Sequence, residues 1–265
     1  MQAVLDGIIS IIKEGGAILS SAASLHAKGT SKGGHANFVT EYDSKIQSFL
    51  IDRLHTLLPE AHFIGEENGL SEFKEQDRTG YAFVIDPIDG TNNFMKGYEP
   101  SMISIALFRD GVPYIGVIYN PFQDHVYYAM RGQGAYMNGA PIHSSEEPLE
   151  SSLVSVGTAP YNEALHPKTF ELCALYLKHG MDLRRSGTAA LDLCLVASGK
   201  TGLFFEPVLG LWDFAAGAVI CEEAGCTITD LDGKPLTYDG SSSILCASAG
   251  VTKGVYLPSE LKAIS

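Results

Sequence analysis

Three short acidic segments carry most of the chemistry this sequence permits: Gly65-Glu66-Glu67, Asp86-Pro87-Ile88-Asp89-Gly90-Thr91 and Trp212-Asp213. Carboxylates are hard oxygen donors, and several of them with few histidines suit a hard divalent cation such as Mg²⁺. In the middle segment Pro87 fixes its own backbone and Gly90 allows a tight turn, so Asp86 and Asp89 can point into one space. The Ile88 carbonyl between them is a further oxygen donor. Each segment also has a plainer reading when taken alone. Asp-Gly and Pro are ordinary turn residues, Glu66-Glu67 reads as a solvated loop, and Asp213 before an apolar run reads as a helix N-cap. Only their combination tips the balance.

The elements that must position these groups follow from hydrophobic spacing. Val4, Ile8, Ile11, Ile12 and Leu19 predict an amphipathic helix over residues 3–19, with Lys13 and Glu14 opposite. A polar loop is expected from Lys28 to His35. Phe38-Val39-Thr40 then leads into a second helix whose face is Ile46, Phe49, Leu50, Leu54, Leu57 and Leu58, ended by Pro59. Strands are predicted at 62–64, 81–85, 102–108, 114–119 and 126–130, as an antiparallel meander. In the second half a strand near 153–156 precedes a helix near 167–179. A helix at 189–197, a strand at 203–205, a helix at 212–224, a strand at 244–247 and a last helix at 258–264 follow. No linker or internal repeat divides the chain. A single domain over 1–265 is expected, with an α+β half to about 145 and an α/β half from about 146, built as stacked layers.

A chain of 265 residues, 45% hydrophobic and 18% charged, is neither disordered nor a coiled coil. With 18 basic against 31 acidic residues its net charge is −13, which argues against a nucleic-acid partner. It is no obstacle to a small phosphorylated substrate if bound cations invert the local field. The five cysteines include no CxxC pair, which suggests reduced, buried thiols in a cytoplasmic protein, and Cys221 and Cys226 read as packing. The N-terminus lacks the basic flank of a signal peptide. No apolar run reaches the roughly 18–20 residues of a membrane span, so a soluble protein without a membrane partner is expected. Gly199-Lys200-Thr201 mimics the end of a P-loop, but Cys194 stands where the motif needs its first glycine. The histidines show no HExxH spacing, and a zinc site is not expected.

Five segments in order resemble the motifs of the inositol monophosphatase family of metal-dependent phosphatases. They are Phe-Val-Thr-Glu-Tyr-Asp (38–43), Gly-Glu-Glu-Asn (65–68), Asp-Pro-Ile-Asp-Gly-Thr-Asn-Asn-Phe (86–94), Arg-Ser-Gly-Thr-Ala-Ala (185–190) and Trp-Asp-Phe-Ala-Ala-Gly (212–217), the last followed by Glu-Ala-Gly (223–225). The resemblance implies an αβαβα five-layer sandwich, a homodimer, and lithium-sensitive, Mg²⁺-dependent hydrolysis of a small phosphate monoester with two or three cations per site. Carried over by position, Glu66, Asp86 and the Ile88 carbonyl hold one metal. Asp86, Asp89 and Asp213 hold a second, and a third sits near Glu66. Thr91 with Glu66 activates the attacking water, and Asp43 orients the Thr91 hydroxyl.

On the substrate side the resemblance implies Gly90 and Thr91 beside the phosphate, Gly187, Thr188 and Ala189 along the pocket, and Asp213 in contact. Glu206, seven residues before Asp213, matches a carboxylate that accepts sugar hydroxyls in inositol-specific relatives; by itself it is a loop glutamate. Lys32 matches a loop lysine near the third metal and reads equally as a solvated side chain. Arg184 and Arg185 are candidates to meet a second phosphate. Inositol monophosphate leads as substrate, with fructose-1,6-bisphosphate, 3′-phosphoadenosine 5′-phosphate, NADP⁺ and histidinol phosphate as rivals, and a non-catalytic binding protein as a rival of another class. The chain departs from the pattern at Asn92, at Cys226 in place of the second glycine of Glu-Ala-Gly-Gly, and at Gly97-Tyr98-Glu99-Pro100, which is expected to alter the pocket rim.

Overall fold

Leu5, Ile8, Ile12 and Leu19 recur at helical spacing and are buried along one side of α1 (Gln2–Ala23). This structure, a computed structural model, describes residues 1–23, 29–33, 37–67, 70 and 72–263. Lys28 and residues 34–36 of the expected loop, Asn68 of the first acidic motif and Ile264 of the last expected helix lie outside them. Thr40 starts α2 (Glu41–Leu57): its Oγ1 accepts from the Tyr42 amide at 3.2 Å, while Asp43 Oδ2 accepts from the Thr40 amide at 2.7 Å. This reciprocal cap satisfies amides that the first helical turn leaves open. Part of the expected loop is instead a strand, β1 (Gly29–Gly33), paired antiparallel with β2 (Asn37–Thr40). Its ladder needs no apolar side chains, so the hydrophobic pattern did not signal it.

The first sheet has seven strands in the order β3 (His62–Gly65), β4 (Tyr81–Asp89), β5 (Met102–Arg109), β6 (Val112–Asn120), β7 (His125–Met130), β8 (Ala135–Met137) and β9 (Ala140–Ile142). From β4 onward every pairing is antiparallel, as expected; β3 and β4 are parallel, which corrects the meander at its first strand. The connection after β3 runs through a 3₁₀ turn at Glu75–Arg78, long enough to bring the chain back in the same direction. Strand β4 is buried on both faces. Phe83 and Ile85 face α1 and α2, while Ala82 and Val84 face the middle of the molecule. A six-residue helix, α3 (Thr91–Lys96), leaves β4 directly and was too short for periodicity to reveal.

The second sheet has the order β11 (Asp182–Arg184), β10 (Leu153–Val156), β12 (Leu203–Leu209), β14 (Ser242–Ala247) and β13 (Thr227–Thr229). Between the sheets lie α5 (Ala189–Ala197) and α6 (Leu211–Glu223), whose Leu193, Val196, Phe214 and Val219 join one core with Ala106 and Phe108 of the first sheet and Phe204 and Ile244 of the second. On the outer face of the second sheet, α4 (His166–His179) and α7 (Pro258–Ala263) bury Leu172, Tyr176 and Leu261 against Phe205 and Leu245. The layers therefore run αβαβα. Tyr127, Phe204 and Phe205 are core residues, whereas Tyr128 is only partly buried. Among the described residues no helix is long and apolar enough to cross a membrane.

Candidate active site

Two strand irregularities aim the acidic groups. The β4–β5 register slips between Asp86 and Asp89, and the β12–β14 register slips between Glu206 and Leu209. In each, a proline (Pro87, Pro207) follows the acid; lacking an amide hydrogen, it is tolerated where the ladder is already interrupted. A regular strand would send Asp86 and Asp89 to opposite faces; the slip lets both line one cavity of about 460 Å³ with Glu66, Thr91, Glu206 and Asp213. Asp213 arrives on the first turn of α6 as its third residue, and Gly210 is the N-cap, which corrects the N-cap reading of Asp213.

Each central carboxylate is anchored through one oxygen. Asp86 Oδ1 accepts from the Ile88 amide at 3.0 Å, and Asp213 Oδ2 from the Gly210 amide at 2.8 Å. Asp89 Oδ2 accepts from the Thr188 hydroxyl at 2.5 Å and from the Ala190 amide at 2.7 Å, at the start of α5. These bonds set orientation and leave the second oxygen for a ligand. The charges are otherwise poorly compensated. Burial pushes the Asp86 carboxyl well above its usual range, and Glu66, Asp89, Asp213 and Asp43 push it further. Burial likewise raises Asp213, with Asp89 and Glu66 adding to it. Asp89 rises to about 6 through burial, opposed by its bonds to Thr188 and Ala190. Several hard oxygen donors around a cavity, each costly to ionise without a counterion, are a donor set that fits divalent cations.

Thr91 and Asp43 meet as expected: the Thr91 hydroxyl lies 3.2 Å from Asp43 Oδ1 and 3.1 Å from the Ile88 carbonyl and donates to one or the other. Asp43 is itself fixed by Thr40, whose hydroxyl donates to Oδ2 at 2.5 Å. Lys32 is partly exposed but ion-paired. Its Nζ donates to Glu66 at 2.9 Å and also to Glu67. Burial works against its charge, yet Glu66 and Glu67 outweigh that and raise its pKa. Gly90, in the left-handed region at φ 92°, lies where a Cβ would come within 3.4 Å of the Gly187 and Pro100 carbonyls, and so packs closely between those two segments. Gly187, Thr188 and Ala189 line the cavity.

The two arginines separate. Arg185 lines the cavity, its Nε donating to Thr158 Oγ1 at 3.2 Å, whereas Arg184 is exposed and paired with Asp182 at 2.5 Å. Residues 97–100 do not line the cavity; their link to it is the Pro100 carbonyl, which accepts from Asn93 Nδ2 at 2.7 Å. Asn93 also donates to the Ser186 carbonyl at 3.0 Å and so braces the loop before α5. This bracing role, and the places of Tyr161, Thr158 and Asp192 along the cavity, are not marked by the sequence motifs. Asp192 had a signal, being the lone charge in the apolar run of α5. It takes the Ser186 hydroxyl at 2.8 Å, and burial lifts its pKa to about 7.

Glu206 is buried at the cavity wall and accepts from the Ala159 amide at 3.0 Å. Burial pushes its carboxyl up to about 8 against that bond, with Asp89 and Asp192 adding to the rise. A raised carboxyl keeps its proton in the folded state at a pH where the unfolded chain has lost it. Glu206 therefore costs stability progressively as pH climbs from about 4.5 to about 8. In chelator, Glu206→Gln is expected to gain stability over the wild type by about 3 kcal/mol between pH 5 and pH 8. Urea unfolding at the two pH values checks this, and a gap that does not widen with pH refutes the burial of charge.

A family model described as the inositol monophosphatase family matches residues 1–263. The chain belongs to that family. It is 32% identical over 248 residues to the inositol-1-monophosphatase of Bacillus subtilis, covering 92% of this chain and 92% of the relative. It is 33% identical over 245 residues to the Nus factor SuhB of Vibrio cholerae, covering 92% and 90%. The solved structure of the extragenic suppressor protein SuhB from Bartonella henselae superposes with a TM-score of 0.86 at 30% identity, over 94% of this chain and 95% of the other. The family is metal-dependent and acts on small phosphate esters, which agrees with the acidic cavity and with the layered α/β sandwich found here.

Proposed function

We propose that the chain is a Mg²⁺-dependent phosphatase hydrolysing a small polyol phosphate monoester, with inositol monophosphate as the leading substrate. The observation that carries the reading is the convergence of Glu66, Asp86, Asp89, Thr91 and Asp213 on one cavity that also contains Glu206. Glu66, Asp86 and the Ile88 carbonyl would hold one cation and Asp86, Asp89 and Asp213 a second, with a third near Glu66. When bound, the cations neutralise phosphate charge and lower the pKa of water. The chain's own residues do the positioning. Thr91, held by Asp43, offers its oxygen lone pairs to the attacking water, and Glu66 accepts that water's proton. Burial, opposed by Lys32, raises the Glu66 carboxyl and makes it a better proton acceptor.

In its ionised form Glu206 supports a polyol over a nucleotide substrate, since a carboxylate accepts from hydroxyls and repels a second phosphate. Arg185 keeps fructose-1,6-bisphosphate as the rival; Arg184, facing away in its Asp182 pair, gives that rival no help. The family's homodimer is carried with the proposal and is read by sedimentation.

The test is Mg²⁺-dependent phosphate release from inositol-1-phosphate, fructose-1,6-bisphosphate, 3′-phosphoadenosine 5′-phosphate, NADP⁺ and histidinol phosphate. A preference for inositol-1-phosphate that vanishes with chelator is expected. Silence on every substrate overturns inositol monophosphate as the substrate and leaves another phosphate ester or a binding protein. Glu206→Ala is expected to shift the preference among these substrates by about tenfold, the worth of one net hydrogen bond; an unchanged profile removes Glu206 from the pocket's recognition.

A further inference from the structure

Three cysteines far apart in sequence meet at the back of α6. Cys221 is in its last turns, Cys226 follows the turn at Gly225, and Cys246 is on β14. Gly225 at φ +86° folds the chain back so that the Cys226 amide donates to the Cys221 carbonyl at 2.9 Å. The sheet supplies the third member: Ile228, two residues beyond Cys226, is the register partner of Cys246. The three sulfur atoms lie within 4.8 Å of one another, and no disulfide joins them. Cys221 and Cys246 are wholly enclosed, while Cys226 keeps 8% of its surface exposed and gives the cluster its opening.

We propose that Cys221, Cys226 and Cys246 form a thiolate site for a thiophilic d¹⁰ cation of the Zn²⁺ class, separate from the phosphatase site. Around an ion with metal–sulfur bonds of about 2.3 Å, tetrahedral ligands are about 3.8 Å apart and trigonal ones about 4.0 Å, so only a small contraction of the cluster is needed. Binding displaces to solvent whatever protons the three sulfurs carry and leaves one net negative charge on the ion and its three thiolates. Ser144 neighbours Cys226, and its hydroxyl accepts from the Ala249 amide at 3.2 Å. Soft sulfur ligands favour such an ion over Mg²⁺, which takes oxygen. Cys221 lies eight residues from Asp213 on the same helix, about 12 Å along its axis, so one ion does not bridge the two sites.

The experiment uses the full chain, reduced and stripped of metal, with Mg²⁺ in excess, titrated with Cd²⁺ as a spectroscopic stand-in for Zn²⁺. A thiolate-to-cadmium charge-transfer band saturating at one equivalent, and reversed by Zn²⁺, is expected. The band should persist in Asp213→Asn and disappear in Cys246→Ala and in Cys226→Gly. The glycine variant restores the residue of the family pattern at a turn and is chosen to fold even if the alanine variant does not; circular dichroism checks both. Zn²⁺ is also expected to raise the melting temperature of the wild type and not that of Cys226→Gly. Absence of the band in the reduced wild type overturns the proposal. A band that survives in the folded Cys226→Gly variant also overturns it, and points to the half-buried Cys173.

Discussion

Asp86→Asn is expected to lower phosphate release by about a thousandfold or more while leaving the protein folded and, without metal, more stable. Asparagine keeps an oxygen for the Ile88 amide, which approaches Asp86 Oδ1 at 3.0 Å, so the local turn survives. What disappears is the charge common to both proposed cation positions. Several kcal/mol of cation-derived stabilisation, at about 1.4 kcal/mol per tenfold in rate, gives that factor. The rise in metal-free stability follows from burial and from the repulsion of Glu66, Asp89 and Asp213, both of which the substitution relieves. Steady-state kinetics with varied Mg²⁺ and thermal melts in chelator measure the two effects. Full activity in the variant sinks the metal assignment, and a metal-free variant less stable than the wild type sinks the electrostatic account.

Gly116→Ala is expected to disable the protein through α6, the helix that carries Asp213. A Cβ at Gly116 on β6 would lie 2.2 Å from the Ala216 carbonyl oxygen and 3.0 Å from its carbon, atoms of the α6 backbone that no rotamer change removes. The helix has no room to withdraw, because a Cβ on Gly217 would itself lie 2.4 Å from Leu193 of α5. The expected cost is about 3 kcal/mol or more, which lowers the melting temperature by about 8 °C for a chain of this size. Since α6 carries Asp213, a residual shift of about 1 Å also costs about a hundredfold in turnover. Gly240→Ala is the control: a Cβ there meets nothing within 4 Å, and stability is expected to stay within about 0.5 kcal/mol. Equal stability of the two variants contradicts the close packing of β6 on α6.

The site was legible to the extent that its members lie in local motifs. Asp86, Ile88, Asp89, Gly90 and Thr91 share one turn, and the segments holding Glu66, Asp43 and Asp213 are recognisable from residue type and order. Lys32 was ambiguous because its partners, Glu66 and Glu67, are more than thirty residues away. Arg184 and Arg185 looked interchangeable as neighbours in sequence; the edge strand β11 ends between them and only Arg185 reaches the cavity. The cysteine cluster was invisible for the same reason, since Cys246 joins Cys221 and Cys226 only through sheet register. Short elements such as α3, β8 and β13 also escaped, being too brief to show a period.

The sequence by itself determined the long amphipathic helices, the buried strands, the acidic turn and the family, because each is a matter of residue type at short spacing. Only the tertiary structure decided that β3 runs parallel to β4, that two strand slips turn Asp86, Asp89 and Glu206 into one cavity, and that the glycines of β6 and α6 set the depth of Asp213. The physical reason is that distances between segments are governed by packing and strand register, which are sums over contacts between residues remote along the chain. No local spacing encodes them.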